Sequence, residues 1–236
     1  MARQANPARA AGDIGVRAVL LDALGTLVYL EPPGPRLRDA LRELAGVEVT
    51  LDEAEHAFRA EIGHYLAHHT EGGDGPGLDR LRDDCAEVMR AALPQPAPEH
   101  AVVREAMLAA LSFVAFPDVV PALRELRERG VRLVVVSNWD CSLPEWLEGA
   151  GLASLLDGTV SSAAAGEAKP GPAAFRAGLE LAGVEPGEAL HVGDSPEADI
   201  EGARAAGIRA VLLSRGGDAP GGVESVSSLE ELPSLL

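Results

Sequence analysis

The sequence predicts an α/β fold, a parallel sheet flanked by helices on both faces, with an all-helical segment inserted into it. Three observations carry this. Short apolar runs alternate with helical patterns, as in VRLVVV at 131–136, and strands of that kind are buried on both faces. Three such runs pass at their carboxyl ends into a polar residue, Asp22, Ser137 and Asp194, and open parallel sheets bind ligands at that edge. Between about 31 and 116 the alternation stops and only helical patterns remain.

In chain order, RAVLL at 17–21 is a buried strand that feeds a tight loop at Gly25-Thr26. Helical patterns follow at roughly 36–45, 51–69, 78–93 and 99–114. Gly46, the glycine-rich loop 71–77 and the proline-rich stretch 94–98 separate them, and no strand is expected in this insertion. A helix at 118–129 ends at Gly130, the residue type that commonly follows a helix C-terminus. The strand 131–136 then runs into Ser137-Asn138-Trp139-Asp140. Ser142 and Glu145 have capping-box spacing for a short helix ending near Gly149. A strand around 158–161, a helix at 172–183, a strand at 189–192, a helix at 197–206 and a strand at 209–213 continue the alternation. A short strand near 223–226 and a terminal helix close the chain. The first fifteen residues lack the apolar centre of a signal peptide and read as a disordered tail. The expected organisation is therefore a tail at 1–15, a core from 16–30 and 117–236, and a helical domain at 31–116.

Charge and composition exclude several classes of function. A net charge of −17 opposes nucleic-acid binding, which depends on a basic patch. No apolar run approaches the roughly 20 residues that span a bilayer, so no membrane partner is expected. Cys85 and Cys141 lie far apart without CxxC spacing, so neither a zinc site nor a disulfide framework is indicated. A reducing cytoplasm is the expected location.

Lys169 is the only lysine, against nineteen arginines. An ammonium is a compact point charge with three rotatable donors, whereas guanidinium is a broad planar fork. A tight site that holds a carboxylate and an anionic group together favours the former. The rim of the sheet gathers Asp22, Ser137, Lys169, Asp194 and Asp199. Three clustered carboxylates repel one another and need a cation, and oxygen ligands of this kind suit magnesium. Lys169 and Ser137, with the loop that begins at Asn138, are placed to bind an anionic substrate group.

The segments LLDALGTLV, VVVSNWD, GEAKPGPAAF and LHVGDSPEADIEGARAAG resemble, in order, the four motifs of the haloacid dehalogenase-like (HAD) hydrolases. The resemblance covers about 17–215. It implies a Rossmann-like core with a helical cap at 31–116. It also implies that Asp22 is a nucleophile forming an aspartyl-phosphate, with Thr26 orienting it, and that Ser137, Asn138 and Lys169 bind the substrate phosphoryl group. Magnesium would be held by Asp22, the backbone carbonyl of Leu24, Asp194 and Asp199, the last directly or through water. The chain departs from the family's phosphatases at Leu24, where they carry an aspartate that protonates the leaving oxygen. Loss of a positioned acid–base group removes roughly 10²–10⁴-fold in rate. Haloacid dehalogenases lack that aspartate too, but they are metal-free and carry serine where this chain has Asp194. A phosphatase-like clade combines a non-acidic residue at this place with an SN-aromatic-D second motif, and this chain resembles it most.

The resulting expectation is a magnesium-dependent phosphatase acting on a small anionic metabolite, a phosphate ester or acyl phosphate. A 2-haloacid dehalogenase and a weakly catalytic binding or scaffolding protein are the alternatives, and the oligomeric state is left open. Asp140 is a candidate to replace the missing acid, its other reading being support of the adjacent helix N-terminus. Glu61, His64 and His68 share a helix face at spacing reminiscent of a metal site, or form a polar face. Trp139 either walls the pocket or packs in its loop. His191 is expected as a buried strand residue, and Arg36 and Arg38 as a solvated helix face.

Overall fold

The computed structural model describes residues 15–217 and 221–236. The tail expected at 1–15 lies, apart from Gly15, outside the described residues. Six parallel strands form the sheet, β1 (Ala18–Leu21), β4 (Arg132–Ser137), β5 (Gly158–Ser161), β6 (Ala189–Gly193), β7 (Arg209–Leu213) and β8 (Ser225–Val226), in the order β5-β4-β1-β6-β7-β8. β1 is central, with Leu21 level with Val135 on one side and Val192 on the other. This register sets Asp22, one residue on, between the carboxyl ends of β4 and β6.

The period of two along β1 feeds two cores. Val19 and Leu21 join Leu133, Val135, Leu190 and Val192 on one face, under α5 (Val119–Glu128) and α6 (Leu143–Gly149). Ala18 and Leu20 join Val134, Val136 and Phe175 on the other, under α8 (Pro172–Ala182). Every buried residue of β1 thus faces a helical layer, the reason its sequence is apolar throughout.

The insertion contains α1 (Pro33–Ala45), α2 (Leu51–His68), α3 (Gly75–Ala92) and α4 (His100–Ala110) around its own apolar cluster, which includes Leu37, Phe58, Met89 and Met107. Thr50 and Glu53 form a reciprocal capping box that starts α2. Asp74 accepts from the Gly77 amide and starts α3 three residues earlier than the periodicity indicates. Among the described residues no helix is long and apolar enough to cross a membrane.

Four expectations are corrected. The region 31–116 is not free of strands, because β3 (Phe113–Ala115) pairs antiparallel with β2 (Val28–Leu30) where the chain leaves and re-enters the core. Helix α4 consequently stops at Ala110; Leu111 is already extended, and Phe113-Val114 satisfy their backbone groups across the ribbon. Ser142 makes no capping bond to α6, since its amide and hydroxyl both donate to Asp140. The helix at 197–206 is divided into a π-helical turn, Pro196–Glu201, and α9 (Gly202–Ala205), with α7 (Ser162–Ala165) a further short turn upstream. The terminal helix is 3₁₀, Leu229–Leu235, as Pro233 inside it disfavours an α-helix.

Candidate active site

The rim residues meet as the strand register requires. Asp22 is buried, and its Oδ1 accepts hydrogen bonds from Ser137 Oγ at 2.9 Å and Lys169 Nζ at 2.7 Å. Oδ2 is left toward the open side. Oxygens of Asp22, Asp194 and Asp199 lie within 4.8 Å of one another. Gly25 has φ +82°, and a Cβ there would stand 2.0 Å from Asp194 Oδ2, so the first loop must carry glycine to let that carboxylate approach. At Gly193 a Cβ would lie 2.1 Å from Asp199 Cγ, so the end of β6 must be equally bare.

Lys169 is buried, and its three N–H donors are all taken, by Asp22 Oδ1, by Asp199 Oδ1 at 2.5 Å and by the Val136 carbonyl at 2.9 Å. Burial opposes its charge, but the two carboxylates outweigh it and keep the ammonium protonated. Contact with a substrate phosphoryl group would therefore exchange or share one of these bonds. Asn138 does not face that group with its side chain. Its carboxamide accepts from the Lys169 amide at 2.7 Å and donates to the Lys169 carbonyl at 3.0 Å, a two-point clamp on the backbone that carries the ammonium.

Asp199 is brought to the site by the π-helical turn, a geometry frequent at functional sites. Its Oδ1 accepts from Lys169 and from His191 Nε2 at 3.0 Å, and its Oδ2 from the Ser195 amide. Burial disfavours its ionisation, yet His191 and Lys169 prevail and hold it well below the usual carboxylate range. His191 is the buried strand residue expected, kept neutral by burial. Its link to Asp199 was not legible in the sequence. Asp194 stands at the exposed lip, and the partial burial of its carboxyl with the charges of Asp22 and Asp199 pushes it up to about 6. Burial likewise raises Asp22, against the pull of Lys169. One ammonium against three carboxylates leaves two negative charges, which a divalent cation would balance. The hard oxygen donors fit magnesium. Leu24 would contribute only its carbonyl, because its side chain has no ligand atom.

Thr26 is fully buried and its Oγ1 has no hydrogen-bond partner among the described residues, so no bond to Asp22 is formed. The Thr26 carbonyl is held instead by Arg215, which pairs with Asp118 and lies 4.0 Å over the Phe116 ring. Asp140 is buried and engaged: Oδ1 accepts from the Ser142 amide and hydroxyl, Oδ2 from Tyr65 Oη of the insertion at 3.0 Å. This bridge between core and insertion leaves no free carboxylate oxygen aimed at Asp22.

The other candidates resolve in the same way. Glu61 is buried while His68 pairs with Glu71 at 2.7 Å and stacks on His64 at 4.3 Å, so the three make no common ligand set. Among the described residues the Asp22, Asp194 and Asp199 group is the only one arranged for a metal. Arg36 donates to the Ala110 carbonyl at the end of α4, and Arg38 faces Asp39 at the surface. Trp139 is buried against Phe113, with ring centres 4.8 Å apart, and also walls a cavity of about 140 Å³ beside Leu24 and Asn138.

A model of the haloacid dehalogenase-like hydrolases matches residues 16–207. The bovine haloacid dehalogenase-like hydrolase domain-containing protein 3 is 47% identical over 92 residues, covering 39% of this chain and 37% of its own length. The chain is 40% identical to a phosphoserine phosphatase of Thermus thermophilus, across 85% of this chain and 90% of that protein. Among solved structures, a HAD phosphatase from Thermococcus onnurineus superposes with a TM-score of 0.64 at 26% identity, over 93% of this chain and 97% of that one. A 2-haloacid dehalogenase from Pseudomonas syringae gives 0.66 at 24% identity over 93% and 97%, a likeness of fold alone.

Proposed function

This chain belongs to the haloacid dehalogenase-like hydrolases, and from that premise we propose that it is a magnesium-dependent phosphatase of small phosphate esters or acyl phosphates. The observation that carries the reading is the state of Asp22, whose Oδ1 is held by Ser137 and Lys169 while its carboxylate comes within 4.8 Å of those of Asp194 and Asp199. In this reading Asp22 Oδ2 attacks phosphorus, the P–O bond to the leaving group breaks, and water then hydrolyses the aspartyl-phosphate. Lys169 and Ser137 favour the ionised carboxylate against the effect of burial and hold it in place. Magnesium held by Asp22, Asp194, Asp199 and the Leu24 carbonyl would offset the charge of the phosphoryl oxygens. The insertion acts as a cap that excludes water from the closed site.

Leu24 cannot donate a proton and Asp140 is engaged elsewhere, so the leaving oxygen must depart with little protonation. That requirement selects aryl and acyl phosphates over alkyl ones. A 2-haloacid needs a cation for its carboxylate, and the cavity next to Leu24 is lined by no arginine, lysine or histidine among the described residues. Phosphate release from acetyl and phenyl phosphates, with magnesium or with chelator, tests the proposal. Magnesium-dependent release that Asp22→Asn abolishes is the expected result. Metal-independent halide release from 2-halo acids, or a folded protein that releases no phosphate, would refute it.

A further inference from the structure

The cavity between core and insertion is lined by Leu24, two residues beyond Asp22, and by Asn138, the residue after Ser137, so it opens beside the segments that carry the reacting groups. Its walls include Ile62, Leu111, Phe113, Trp139 and Trp146. Phe113 packs edge-on against both tryptophans, at 4.8 and 4.9 Å between ring centres, making a wall of aromatic surface. The volume is about 140 Å³, and cavities of roughly 150 Å³ lined by aliphatic and aromatic side chains hold benzene. The polar groups facing it are one-sided in charge. Tyr65 and Asp140 are bonded to each other, and Glu61 of α2 adds a second carboxyl, while no arginine, lysine or histidine is among the described residues that line this cavity. Arg82 meets Glu61 and Asp140 only in the smaller cavity next to it.

We propose that this cavity receives the leaving group of the substrate and selects phosphate monoesters of a single uncharged aromatic ring, with Glu61 turning anionic leaving groups away. The inference rests on the phosphatase reading for its reaction, but the cavity's selectivity is a property of its walls. A ring fits the volume and the aromatic surface. A carboxylate-bearing leaving group, such as the serine of phosphoserine, would lose its hydration in an apolar space already faced by carboxyls. Burial pushes Glu61 up to about 7, so it is partly protonated at neutral pH and can also donate a hydrogen bond to an uncharged polar substituent. It acts on specificity and takes no part in the bond-breaking step.

Both tryptophans of the chain, Trp139 and Trp146, line this cavity, so intrinsic fluorescence reports its occupancy directly. The test titrates the full chain with phenol and with 4-hydroxybenzoate at pH 8. It then compares kcat/KM for phenyl phosphate and 4-carboxyphenyl phosphate, whose leaving phenol is at least as acidic. We expect saturable quenching by phenol, binding of 4-hydroxybenzoate weaker by about ten-fold or more, and the same order in kcat/KM, a factor of ten being about 1.4 kcal/mol. Glu61→Gln should narrow both ratios several-fold. Equal or tighter binding of 4-hydroxybenzoate overturns the inference, as does a ratio that Glu61→Gln leaves unchanged. Acetyl phosphate, which has no ring, reports the reaction separately. Its failure to be hydrolysed would remove the phosphatase reading while the fluorescence titration still decides the cavity.

Discussion

Replacing Glu61 with glutamine should make the protein more stable in alkaline solution and leave it almost unchanged in acid. Glu61 is 6% exposed, sits on the inner face of α2, and has Cys85 as its hydrogen-bonding neighbour. Burial pushes its carboxyl from the ordinary 4.5 to about 7. A raised carboxyl holds its proton in the folded state over a range where the unfolded chain has released it. The stabilisation is thus complete below about pH 4.5 and is lost as pH rises through 7. At 1.36 kcal/mol per pH unit, the span from 4.5 to about 7 amounts to roughly 3 kcal/mol. Glutamine fills the same space and never ionises, so the variant escapes that loss. For a chain of this length 1 kcal/mol moves the melting temperature by roughly 2–4 °C. About 2.5 kcal/mol of that loss falls between pH 5 and pH 8, so the variant should gain about 5–10 °C on the wild type across that range. Urea or thermal unfolding of both proteins at four pH values, with chelator throughout, measures the difference. Two stability curves that run parallel from pH 5 to pH 8 would refute the reasoning.

Further outcomes follow from the rim. Lys169→Met strands Asp22 and Asp199 without their cation, and breaking a buried pair in this way costs about 3–5 kcal/mol. Urea unfolding in chelator should show that loss, and a change below about 1 kcal/mol would mean the ammonium is not the main compensation. Thr26→Val removes a buried hydroxyl that has no partner among the described residues, so stability should hold or rise by up to about 1 kcal/mol. If the hydroxyl turns to Asp22 during turnover, kcat should fall by about ten-fold with KM held, the worth of one hydrogen bond to a charged group. An unchanged kcat would assign Thr26 a packing role only.

The sheet and its rim were legible because a doubly covered parallel strand must be apolar along its whole length. The runs ending at Asp22, Ser137 and Asp194 therefore announced both the strands and the edge where their successors meet. What stayed hidden depends on pairing across distance. The β2–β3 ribbon is three residues long on each side, too short for a period, and Phe113-Val114 read as the end of a helix until Val28–Leu30 lies beside them. Asn138 carries a carboxamide that suits a substrate equally well, and only the fold shows it clamped to the Lys169 backbone. His191 was visible as a strand residue, but its tie to Asp199 requires the π-helical turn that no hydrophobic pattern encodes. Glu61 carried a signal that could have found it. It lies three residues after Phe58 and four after Ala57, both buried, so it belongs to the inner face of α2. Its spacing to His64 and His68 points equally to a polar face, and the buried neighbours decide between the two.

The same consideration gives Leu24 a meaning that the sequence alone left as a defect. An aspartate at that position would place a carboxyl against Trp139, Phe113 and Leu111, the wall that an uncharged ring would occupy. Leucine removes the proton donor and completes the apolar surface in one substitution. The two consequences are chemically matched. An aryl or acyl leaving group needs little protonation, and an aryl group in particular gains from the apolar wall. If Leu24 were merely the mark of a decayed enzyme, nothing would require the rest of the machinery to stay ordered. Yet Lys169 keeps three acceptors, Asn138 keeps its two-point clamp, and glycines stand wherever a Cβ would strike Asp194 or Asp199. Leu24→Asp separates the cases. In a tuned site it should lower kcat/KM for phenyl phosphate by introducing a charge into the cavity, while in a decayed one it should raise turnover of every ester alike.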